Sequence, residues 1–126
     1  MSEVPEEFQK DVEEIKRRLR EGELTNLGAA LAVVLLASLK GQWINVDEIV
    51  RVLKELGYNV KANSIRSALY KVRQEGLLKS KRLGRKTAYF IPVDDDETLG
   101  AILRRVTGEE VREKIVEELL EEIHGD

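Results

Sequence analysis

A chain of 126 residues, 36% charged and 42% hydrophobic, is sized for one domain and composed like a folded, helix-leaning protein. It has no Cys, which excludes a disulfide framework, thiolate metal sites and cysteine nucleophiles. The formal net charge of −3 alone argues against a polyanionic partner, but residues 61–86 hold nine basic side chains and a single acidic one, Glu75, whereas residues 87–126 hold four basic and twelve acidic. A chain polarised in this way carries a basic face while remaining acidic as a whole.

The opening MSEVPEEFQKDVEE lacks the basic-then-apolar layout of a signal peptide. The longest apolar run, Leu27–Leu39, is thirteen residues where a bilayer needs about twenty, so it reads as a buried core helix. The expected location is cytoplasmic, with nucleoid association if the partner is DNA.

A first helix starts at Val4-Pro5-Glu6-Glu7, with Pro tolerated and acids favoured in the first turn. Phe8, Val12, Ile15 and Leu19 recur at helical spacing, and Gly22 ends the helix. Thr25 or Asn26 caps a second helix that is apolar on nearly every face and stops at Gly41. A short β-prone segment, Gln42-Trp43-Ile44, precedes Asn45 and Glu48, spaced as a capping box. Ile49, Val52, Leu53 and Leu56 then form the stripe of a third helix, with Gly57 beyond its end.

The next helix, over 62–75, turns Ile65, Ala68, Leu69 and Val72 inward and leaves Ser64, Arg66, Ser67, Tyr70, Lys71 and Arg73 outward. Leu77–Arg82 and Thr87–Ile91 read as strands around a Gly84 turn. The span Leu77–Ile91 carries five Lys or Arg and no acid. Asp94–Glu97 reads as an acidic linker rather than a metal site. Leu99, Ile102, Leu103 and Val106 stripe one further helix, Thr107 and Glu110 resemble a second capping box, and Val111, Ile115, Leu119 and Ile123 stripe a last helix, flanked by Val116 and Leu120.

From Leu27 to Ile91 the order is helix, short strand, helix, turn, helix, strand, basic turn, strand. That order resembles a winged helix-turn-helix domain. The segment SIRSALYKVRQEGLLKSKRLGRKTAYFIP is similar to the recognition helix and wing of prokaryotic transcriptional regulators, and the wing Arg82-Leu83-Gly84-Arg85-Lys86-Thr87-Ala88-Tyr89 to those of the phenylacetate-repressor (PaaX) and PadR groups. The implied fold is mainly α with a small β-hairpin, a winged helix-turn-helix over 25–93, with an amphipathic helix over 1–24 and further helices over 94–126.

The resemblance implies a prokaryotic, double-stranded-DNA-binding transcriptional regulator. Its recognition helix, 62–75, would enter the major groove, and its wing, 77–91, would rest on backbone and minor groove. Asn63, Ser64, Arg66, Ser67, Tyr70, Lys71 and Arg73 on the helix, with Lys79, Lys81, Arg82, Arg85 and Lys86 on the wing, are the expected DNA-contacting residues. Asn63 suits a helix N-cap slightly better. The amphipathic terminal helices are expected to form a homodimer through Leu99, Ile102, Leu103, Val111, Ile115, Leu119 and Ile123. Two other readings are open: a protein-interaction module of a larger assembly, and a sequence-tolerant chromatin- or replication-associated DNA binder.

An enzyme is not expected: there are no paired carboxylates in an apolar setting, no nucleophile with a histidine and no Gly-rich phosphate loop. No cofactor, metal or small-molecule effector is called for. Trp43 reads as a packing anchor where the short strand joins the wing, Tyr58 and Tyr89 as boundary residues, and His124, the only histidine, as a bystander.

Overall fold

The computed structural model describes residues 4–124, and of residues 109–115 and 117 the helical backbone alone. The described chain is mainly helical, with a small three-stranded antiparallel sheet, an arrangement consistent with a winged helix.

The centre is α2 (Asn26–Leu39), capped by Thr25, whose Oγ1 accepts from the Gly28 N–H at 3.1 Å. Being apolar all round, α2 is surrounded: α1 (Glu6–Arg20), α3 (Val46–Glu55), α4 (Ala62–Gln74) and α5 (Asp96–Thr107) all pack on it. Gly28 permits one close approach. A Cβ there would lie 2.8 Å from the Val106 carbonyl oxygen, so the end of α5 meets α2 at a distance only glycine allows. Ser38 is fully buried yet satisfied, its hydroxyl donating to the Val34 carbonyl at 2.7 Å and accepting from the Ile91 N–H at 2.9 Å. That pair of bonds ties α2 to the exit of the sheet.

The sheet order is β1 (Ile44–Asn45), β3 (Lys86–Phe90), β2 (Lys79–Leu83). β1 falls later than the Gln42–Ile44 segment expected, because the ladder partners are Tyr89 for Ile44 and Ala88 for Asn45. Asn45 also begins α3: its Oδ1 accepts from the Glu48 N–H at 3.0 Å, and Glu48 Oε1 accepts from the Asn45 N–H at 3.2 Å. The expected capping box is present, and it binds the start of α3 to the edge of the sheet. β2 and β3 are joined by Gly84-Arg85, with Leu83 opposite Lys86 and Gly84 at φ +66°, the left-handed region favoured by glycine at the first position of a tight hairpin.

Several expectations are corrected by the packing. Tyr58 and Tyr89 are core rather than boundary residues. Tyr58 buries its ring while its hydroxyl donates to the Leu19 carbonyl at 3.0 Å, which satisfies the one polar group that burial would otherwise orphan. The Thr107 hydroxyl donates back to the Leu103 carbonyl at 3.0 Å, and Gly108, left-handed at φ +76°, closes α5; the Glu110 side chain of the expected second capping box lies outside the described residues.

Leu99, Ile102 and Leu103, expected at a dimer interface, lie in the protomer's own core, 0%, 0% and 4% exposed, where α5 packs on α1 and α2. On α6 (Glu109–His124), Leu119 and Ile123 are exposed, whereas the side chains of Val111 and Ile115 lie outside the described residues.

Candidate nucleic-acid interface

α4 is amphipathic, with Ile65, Leu69 and Val72 buried and every residue from the outward set exposed. At about 100° per residue, Asn63, Ser67 and Tyr70 share the outward centre line, Arg66 and Arg73 one flank, and Ser64 and Lys71 the other. Tyr70 is 57% exposed, an unusual position for an aromatic ring with no described ring partner. Asn63 is not the cap. The N-cap position is Lys61, without a side-chain cap bond, and Asn63 Oδ1 instead accepts from Arg66 Nη1 at 2.8 Å.

The flank bearing Arg66 faces the hairpin. Because Asn45 pairs with Ala88, the start of α3 is held beside the base of β3, and a cleft of ≈ 230 Å³ opens between α3, α4 and the hairpin. Arg66, Arg82, Arg85 and Lys86 line it together with Asn45, Val46, Asp47 and Thr87. Four cations and one carboxylate therefore share the cleft. Asp47 Oδ2 accepts from Lys86 Nζ at 2.9 Å; that bond and the Lys86 charge, aided by Arg66 and Arg51, hold the Asp47 carboxyl below its ordinary pKa.

Strand alternation places Arg82, opposite Thr87, on one face of the hairpin, while Lys86, which lines the cleft from beside the turn, shares the other with Lys79, Lys81 and Leu83. There Trp43 stacks on Phe90 with centroids 5.2 Å apart, and Lys81 Nζ sits 4.1 Å from the centroid of a Trp43 ring. Trp43 is thus a packing anchor where the short strand meets the hairpin, and Lys81 is engaged by its ring.

Of the twelve residues expected to contact DNA, the structure gathers Arg66, Arg82, Arg85 and Lys86 around the cleft, with Asn63 bonded to Arg66. Ser67 and Tyr70 are on the adjoining outward face of α4. Ser64, Lys71, Arg73, Lys79 and Lys81 do not line the cleft. Asp47 is a member of the site that the sequence does not announce, because there it is only an acid in a helix's first turn. The expected joining of the short strand to the hairpin is the available signal: whatever follows that strand must begin beside the hairpin.

The family model described as PaaX-like protein matches residues 28–91, just over half of the chain. The chain belongs to the PaaX-like family. The match runs from the first turn of α2 to the residue after β3 and so contains α3, α4 and the hairpin, the elements that build the cleft. Comparison with curated proteins finds none that matches the chain. The PaaX-like family is one of transcriptional regulators, not enzymes, which assigns this chain to regulation rather than catalysis. No helix among the described residues is long and apolar enough to cross a membrane.

Proposed function

We propose that this PaaX-like chain binds double-stranded DNA as a homodimer, with α4 in the major groove and the β2–β3 hairpin acting as a wing. The convergence of Arg66 with Arg82, Arg85 and Lys86 at one cleft carries this reading. It gives a single surface both a protruding helix and a cluster of cations placed where a phosphate backbone would run beside it. Arg66 and Asn63 are the side chains suited to base edges, Arg to guanine and Asn to adenine. Arg82, Arg85 and Lys86 position the duplex, and Arg85 at the hairpin tip is able to enter a narrow minor groove. A phosphate in the cleft competes with Asp47 for Lys86. In a two-fold dimer the two α4 helices would read half-sites about one helical turn, ~34 Å, apart.

The test is fluorescence anisotropy of a mixed-sequence duplex over a range of salt concentrations. Wild type should bind with affinity falling linearly in log salt. The Arg82→Glu, Arg85→Glu, Lys86→Glu triple variant should bind far more weakly, with a slope shallower by ~0.9 for each phosphate it no longer neutralises. Asp47→Asn, which removes the single carboxylate from the cleft, should tighten binding. Absence of binding by wild type at low salt would sink the proposal.

A further inference from the structure

Two surfaces lie away from the basic cleft. The first is on α6: residues 118–124 and Val116 are exposed, and Val116, Leu119, Leu120 and Ile123 recur three and four residues apart, an apolar stripe whose members are between 48% and 73% exposed. The stripe spans ~10 Å of helix. Its exposed companions Glu118, Glu121 and Glu122 are all acidic, and no Lys or Arg occurs from 116 to 124. The second is a groove of ≈ 520 Å³ between α1 and the end of α2. Leu19, Leu36 and Leu39 line it, and Lys16, Arg20 and Lys40 stand in its wall against one acid, Glu13.

An apolar stripe flanked by acids and an apolar groove flanked by bases are complementary in both respects. α6 packs on α5, and no other described element packs on it to a similar extent. We infer that the groove receives α6 of a second copy of this chain, each α6 of a two-fold dimer lying in its partner's α1–α2 groove with Leu119 and Ile123 as anchors. The arrangement is reciprocal, as two-fold symmetry demands, and covers both apolar surfaces at once. It builds on the homodimer proposed above and specifies its interface, but it is independent of DNA binding.

The native chain has no Cys, so single introduced cysteines report without background. The full-length variants Ile123→Cys and Lys40→Cys would be mixed and oxidised mildly, with the oligomeric state of wild type measured in parallel by sedimentation. The expected result is a dimer whose mixed sample forms a covalent heterodimer, while neither variant crosslinks efficiently alone. Charge reversal at the groove, Lys16→Glu with Arg20→Glu and Lys40→Glu, removes up to three exposed attractions and should weaken dimerisation about tenfold. Glu118→Lys with Glu121→Lys and Glu122→Lys on the partner should restore it. A monomeric wild type overturns both this interface and the homodimer reading. A dimer in which Ile123→Cys crosslinks to itself, or which ignores the groove reversal, overturns the interface alone.

Discussion

α5 and α6 follow one another in the chain and look alike in sequence, yet they have different fates. Both are amphipathic, both repeat apolar residues at three and four, and both mix in charges. The α5 stripe, Leu99, Ile102, Leu103 and Val106, is 4% exposed or less, whereas Leu119 and Ile123 of α6 are 51% and 73% exposed. Gly108 stands between them: its left-handed φ of +76° ends α5 where Gly28 has let it close on α2. The lesson is that an amphipathic stripe specifies a need for cover and says nothing about who supplies it.

The contrast can be broken most sharply at α5. Leu99→Ala or Ile102→Ala leaves a cavity beside α2 and should cost ~2–5 kcal/mol by urea or thermal denaturation. A loss below about 1 kcal/mol would mean that α5 is not a core helix.

Gly28→Ala tests the approach that seats α5. The new methyl meets a backbone carbonyl, which cannot rotate aside, so a destabilisation of ~1–3 kcal/mol is expected despite alanine's better helix propensity. Unchanged stability would show that the two helices are free to separate slightly.

Arg105, partly buried on α5, reaches Glu75 at the end of α4 through two bonds, 2.6 and 2.8 Å. With the side chains 23% and 45% exposed, solvent screens the pair, and Arg105→Ala should cost only ~0.5–1 kcal/mol. A double-mutant cycle with Glu75→Ala separates the pair's own coupling from the other effects of each truncation.

Least of all should be the effect of Leu119→Ser on the fold of the protomer, within about 0.5 kcal/mol at a dilution where any dimer has dissociated. If this substitution instead destabilises the dilute protein as Leu99→Ala does, α6 is covered within its own chain and the contrast fails.

Much of the fold was legible because its signals are local. The Asn45–Glu48 box, the Gly84 turn, the inward residues of α4 and the all-round apolar α2 each depend on neighbours within about one turn or one hairpin. The candidate site was legible only in part. The basic content of residues 61–86 is written in the sequence, but which cations meet is decided by how the hairpin packs against α3 and α4. Alternation separates Arg82 from Lys79 and Lys81, yet Lys86 shares their face and still lines the cleft beside the turn, and the β1–β3 pairing carries Asp47 into it. Asn63 resembles a cap in the sequence because capping and bonding to Arg66 call for the same side-chain oxygen, and only the true start at Lys61 distinguishes them.

By itself, then, the sequence determined helix, strand and turn, the segregation of positive charge, and an element order consistent with a winged helix. Tertiary structure alone decided that α5 belongs to the core and α6 does not, and that four cations and one carboxylate share a cleft. Local patterns report what each segment must bury or satisfy, whereas partners distant in sequence compete for each exposed face, and that competition is settled only when the whole chain packs.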